Sequence, residues 1–120
     1  MALRIKRDKL DILFAKYIKQ RDKYCQRCGC PGGQTSHFWG RARRSVRYDP
    51  SNACLLCFGC HQYFHANPEE YRQFMLARLG EDEFNLLEGR MRQVGKVDTE
   101  LLTLYYKEAI RRLGELGDGE

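Results

Sequence analysis

Residues 25–65 read CQRCGCPGGQTSHFWGRARRSVRYDPSNACLLCFGCHQYFH, with one pair of cysteines, Cys25 and Cys28, at the start and a second pair, Cys57 and Cys60, near the end. A Cys-x-x-Cys turn places two thiolates on one tight knuckle, and two knuckles complete the tetrahedron that zinc prefers. Twenty-eight residues separate Cys28 from Cys57, so a metal held by all four thiolates closes the loop between them. Such a site contributes on the order of 10 kcal/mol to folding. That contribution matters in a chain of 120 residues, which makes one domain with a small core. Two further thiols compete for the assignment, Cys30 beside Cys28 and Cys54 three residues before Cys57. The paired spacing favours Cys25, Cys28, Cys57 and Cys60, leaving Cys54 buried on a strand and Cys30 in the turn before Pro31.

Between the knuckles, CGCPGG is turn chemistry, QTSHFWG alternates as a strand does, and Asn52 to Leu56 reads as its partner strand. A helix beginning in the second knuckle carries His61 and His65, which at i and i+4 project from one side. Upstream, Leu10, Leu13, Phe14, Tyr17 and Ile18 recur at helical spacing from Asp8 to about Tyr24 among lysines and arginines, giving an amphipathic basic helix. Downstream, Asn67-Pro68-Glu69-Glu70 is a helix start, with Tyr71, Phe74, Met75 and Leu79 following on one face. A short helix is expected over Glu81 to Val94. A last one opens at Asp98, with Leu101, Leu102, Leu104, Tyr105 and Ile110 as apolar area for the core or a dimer, and ends at Gly114. The expected fold is α+β, mostly helical, in one domain: a basic helix at 1–24, a metal-stapled core at 25–66 and a helical extension at 67–120.

Charge is uneven along the chain. Residues 1–48 carry 13 Lys or Arg against 3 Asp or Glu, whereas residues 49–120 carry 8 against 13. The basic half leads into the cysteine-rich region. A polyanion is its natural partner, because each neutralised phosphate releases condensed counterions; a solvated basic helix is the plainer alternative. The opening MALRIKRDKL has no apolar signal-peptide core, and no run is long enough to span a membrane. The expectation is therefore a cytoplasmic, reducing location, where paired cysteines read as zinc ligands rather than as disulfides.

All three histidines of the chain fall in one register with an asparagine. Fourteen residues separate His37 from Asn52, eight separate Asn52 from His61, and three separate His61 from His65. Bracketed by the cysteine pairs, this pattern resembles the HNH, or ββα-metal, nucleases of the colicin type over about residues 25–66. The resemblance implies a ββα-metal core and a role for each residue. His37 stands where these nucleases keep the general base, Asn52 where an amide ties down the loop that carries it, and His61 where a metal-binding histidine begins the helix. His65 matches a second histidine that some members use. Many members place Asp or His immediately before the base as a further ligand, and this chain has Ser36, a weak ligand for magnesium or manganese. The implied activity is divalent-metal-dependent hydrolysis of a DNA phosphodiester, duplex or branched, leaving a 5′-phosphate and a 3′-hydroxyl. One centre per chain would nick a single strand, and a double-strand cut would need a homodimer or two binding events.

The intervening FWGRARRSVRYDPS places Arg41, Arg43, Arg44 and Arg47 beside Trp39 and Tyr48, as phosphate contacts for DNA or as a solvated loop. Arg41 and Arg47 are the preferred contacts. The segment also resembles phage and prophage HNH proteins, which suggests a bacterial or phage-encoded origin. Two other classes share these features: a non-catalytic zinc-ribbon protein that grips nucleic acid without needing His37, and an adaptor whose C-terminal helices dimerise or recruit a partner.

Overall fold

The computed structural model describes residues 7–118, with side chains to residue 115, so the basic residues Arg4 and Lys6 lie outside the described residues. Helix α1 (Lys9–Asp22) is followed by strands β1 (Gln34–His37) and β2 (Ala53–Leu56), then by α2 (Phe58–Ala66), α3 (Pro68–Leu79), α4 (Glu81–Met91) and α5 (Thr99–Asp118). The two strands pair antiparallel, with Ser36 opposite Cys54 and His37 opposite Ala53.

Every residue of β2 is buried. Because successive side chains on a strand point to opposite faces, Ala53 and Leu55 enter one core and Cys54 and Leu56 another. The first core gathers Leu10, Phe14 and Ile18 of α1, Tyr48, and Tyr106 of α5. The second gathers Cys25, Cys60, Phe64, Tyr71, Met75 and Phe84. The small sheet is thus a partition between a helical half and a metal-knuckle half. Its position is fixed by the end of α1: Asp22 accepts the Leu55 amide at 2.9 Å, and Arg21 donates to the carbonyls of Pro50 at 2.9 Å and Ala53 at 2.8 Å. Gly33, at φ 129°, enters β1 so close to β2 that a Cβ there would lie 2.7 Å from the Leu56 carbonyl oxygen. Only glycine fits this approach.

Element boundaries follow local chemistry. Asp8 caps α1 through a reciprocal box with Asp11, each side chain accepting the other's backbone N–H. The strand expected over QTSHFWG stops at His37, and Asn52 lies in a 3₁₀ turn (Pro50–Asn52) rather than on the partner strand. Asn67 does not cap α3 with its side chain, which turns back to donate to the Tyr63 carbonyl at 2.8 Å. Helix α4 ends at Met91, short of Val94.

Helix α5 runs through Gly114 to Asp118. A glycine in a helix interior costs only about 1 kcal/mol relative to alanine, and the i,i+4 pair Arg111–Glu115 bridges it. Of the residues expected to supply apolar area from α5, Leu101, Leu104 and Tyr105 are exposed, while Tyr106 takes the buried position. No helix among the described residues is long and apolar enough to cross a membrane.

Candidate metal centre and adjoining cleft

The four sulfurs of Cys25, Cys28, Cys57 and Cys60 lie within 4.8 Å of one another. Tetrahedral zinc with Zn–S bonds of about 2.3 Å needs sulfurs about 3.8 Å apart, and Cys28 and Cys57 stand at 3.7 Å. Each knuckle turns an amide onto its first sulfur: Cys28 N–H donates to Cys25 Sγ at 3.5 Å and Cys60 N–H to Cys57 Sγ at 3.4 Å. These bonds favour thiolate. Burial opposes ionisation of Cys25, but the amides prevail and bring its thiol down to about 6. The Cys57 thiol is lowered as well, chiefly by the Cys60 amide. Arg27 donates to Cys60 Sγ at 3.4 Å while stacking 4.1 Å over the Tyr63 ring, placing a positive charge beside the cluster. The donor set is compatible with a structural metal such as zinc.

Cys30 lies against Cys28 and Cys57, and hydrogen bonds to their sulfurs push its thiol up to about 12; it is outside the four-sulfur group. Cys54 is fully buried on β2, and burial raises its thiol to about 11.

The other side of the sheet forms a cleft of about 730 Å³, lined by His37 and His61 together with Arg7, Lys16, Lys19 and Arg41. The His37 ring packs 5.5 Å from Phe14, and its Nε2 lies 2.9 Å from the backbone carbonyl of Arg47. A carbonyl only accepts, so neutral His37 must carry its hydrogen on Nε2 and a lone pair on Nδ1. That Nδ1 makes no hydrogen bond among the described residues. The Nδ1 of His61 is buried without a hydrogen-bond partner.

Asn52, fully buried, holds the loop between these elements. Its Oδ1 accepts Trp39 N–H at 2.8 Å, and its Nδ2 donates to the carbonyls of Trp39 at 2.8 Å and Val46 at 3.1 Å. Asn52→Ala would leave the N–H and carbonyl of Trp39 without partners and take one of two donors from the Val46 carbonyl, which keeps Asp49 N–H at 3.1 Å, and an expected loss of about 2–3 kcal/mol would be read by urea unfolding of the metal-loaded protein. A loss below about 1 kcal/mol would mean that the loop is held elsewhere.

The remaining candidates separate. Ser36 shares the Cys54 face of the sheet, is buried, and stands 2.7 Å from the Tyr71 hydroxyl. It therefore turns away from His37 and cannot join a ligand set in the cleft. His65 is exposed and does not line the cleft. Among the described residues, the four cysteines form the only group of three or more His, Cys, Asp or Glu side chains placed to hold a metal, so His61 and His65 gain no third donor of these types, and Ser36 faces the other way.

Arg47, a preferred phosphate contact by sequence, is buried, and its guanidinium grips Asp11, with Nε to Oδ1 at 2.9 Å and Nη2 to Oδ2. Arg41 lines the cleft 3.6 Å from the same carboxylate, and Arg43 and Arg44 are exposed.

No motif spacing marks Asp11, Lys16 or Lys19, which the fold brings to the cleft. A signal for Asp11 was nonetheless present: the only acids among the first 48 residues are Asp8, Asp11 and Asp22. All three meet an arginine in the fold.

Burial is the main cause that lowers the His37 and His61 imidazoles below 6.5; the Arg47 carbonyl partly opposes it at His37, and His65 reinforces it at His61. Both are therefore neutral near pH 7. A native value below the unfolded one means that the unfolded chain binds protons first, so stability falls as pH drops from about 6.5 through the folded values. Imidazole NMR titration should find both midpoints below 6.5, and a midpoint above it at His37 would contradict the burial.

Comparison with known proteins leaves the site to be read from its own geometry, since no family model, curated protein or solved structure matches the chain.

Proposed function

We propose that the protein is an endonuclease of the HNH, ββα-metal type that hydrolyses a DNA phosphodiester with His37 as general base. One observation carries the reading: His37, neutral and with a free Nδ1 lone pair, shares a cleft with His61 and with Arg7, Lys16, Lys19 and Arg41. A cationic groove holds a phosphate backbone, and an imidazole poised near neutrality takes a proton from water. In this scheme His37 Nδ1 removes that proton as the water oxygen bonds to phosphorus and the 3′-oxygen leaves. Lys16, Lys19 and Arg41 orient the flanking phosphates. Because the three-donor set does not form, no step is assigned to a protein-bound magnesium or manganese ion. His61, which lines the same cleft, is the second imidazole beside the scissile phosphate in this scheme.

The second reading, a zinc-ribbon protein that binds nucleic acid without cutting, is favoured by that same missing donor set. Supercoiled plasmid incubated with zinc-loaded protein, with magnesium or manganese added or withheld, separates the two. Conversion to open circles supports the nuclease. Salt-sensitive binding with no nicking under any condition supports the ribbon.

A further inference from the structure

We infer that Asp11 of α1 and Arg47 are positioning residues for His37, a role that rests on the nuclease reading. Asp11 accepts two hydrogen bonds from the Arg47 guanidinium, and the carbonyl of the same Arg47 takes the His37 Nε2–H at 2.9 Å. The side chain of Arg47 thereby anchors its own backbone oxygen. Around that oxygen the loop is held on each side: Val46 is fully buried and gives its carbonyl to Asn52, while the Tyr48 hydroxyl donates to Asp8 at 2.7 Å and the Tyr48 carbonyl accepts from Tyr106.

The carboxylate is equally constrained. Asp11 also accepts the Asp8 amide at 2.8 Å in the cap of α1, so the ion pair is registered to the helix end rather than to a mobile side chain. Burying two charges is a costly way to secure a loop that Val46 and Tyr48 already anchor by apolar burial, and replacing such pairs with packed hydrophobic groups is often neutral for stability. What a bidentate guanidinium adds is direction. Here the direction is that of the carbonyl, which sets the plane of the imidazole and keeps the lone pair on Nδ1. The base is therefore seated by a helix outside residues 25–66, and α1 contributes to chemistry as well as to binding.

The test compares full-length, zinc-loaded wild type with Asp11→Asn, and with Asp11→Asn in a His37→Gln background. In the wild type, imidazole ¹⁵N shifts above the titration range should report one His37 tautomer, protonated on Nε2; in Asp11→Asn they should move toward a mixture. Plasmid nicking should fall at least tenfold in kcat with DNA affinity unchanged, whereas the same substitution should leave the residual rate of His37→Gln unaltered, because a positioning residue has nothing left to position. Should Asp11→Asn not fold, Arg47→Lys, which keeps the charge and loses the fork, is read by the same measurements. Unchanged ¹⁵N shifts and kcat in a folded variant, or an equal loss in both backgrounds, overturn the inference. If the wild type does not nick at all, the nuclease reading fails and the ¹⁵N comparison alone decides the clamp.

Discussion

Cys57→Ser, or chelation of a metal held by the four cysteines, is expected to unfold the protein. The four sulfurs lie within 4.8 Å of one another, and two of them receive amide hydrogens from their own knuckles. Structural zinc of this kind is worth on the order of 10 kcal/mol, against a total stability of about 5–15 kcal/mol for a typical domain. Cys25 and Cys60 are also part of the second core, so their displacement opens the packing around Phe64, Tyr71 and Met75. Elemental analysis should find one zinc per chain, and thermal unfolding followed by near-ultraviolet circular dichroism should lose its cooperative transition in Cys57→Ser. Cys30→Ser, outside the ligand group, should keep both the metal and the transition. Retention of a cooperative melt within a few degrees of wild type by Cys57→Ser would remove the metal from the account of stability.

The second large effect is on rate. His37→Gln keeps an amide N–H able to donate to the Arg47 carbonyl and retains much of the contact with Phe14, but it has no basic lone pair. On the nuclease reading, loss of a general base typically costs 10²- to 10⁴-fold, so nicking should drop by about that factor, while DNA affinity, proposed to come from Lys16, Lys19 and Arg41, should stay within about twofold. Single-turnover relaxation of plasmid beside fluorescence anisotropy with a short duplex measures the two quantities. A His37→Gln protein that nicks at the wild-type rate would sink the assignment of the base, whatever the fate of the fold.

The sequence announces what is local. Asp8 and Asp98 mark helix starts because an acid before an apolar repeat has few better uses than capping, and both do so in the fold. The two Cys-x-x-Cys knuckles and the strand pair are legible for the same reason: the chemistry that specifies them lies within a few residues. Burial of Cys54 and the exposure of Arg43 and Arg44 also follow from their immediate neighbours.

What escapes such reading depends on partners distant in the chain. Arg47 looks like its arginine neighbours until Asp11, thirty-six positions earlier, claims it. Ser36 precedes His37 directly, yet one step along a strand reverses its face, and the register that decides this is set by Gly33 against Leu56. Gly114 reads as a stop but is carried by ion pairs flanking it and by the helix on both sides. In each case the local signal was real and a longer-range contact outweighed it.

The first and last helices meet at a cluster of rings, with Phe14 5.3 Å and Tyr17 5.2 Å from Tyr106, whose hydroxyl also reaches the Tyr48 carbonyl beside Arg47. During synthesis α1 emerges before α5 and must wait for it. Until then Phe14 lacks one of its ring neighbours and the loop behind His37 lacks one of its supports, so a growing chain could form its cysteine knuckles long before it could hold His37 in place. The order of translation would then leave the cleft unfinished until α5 has docked.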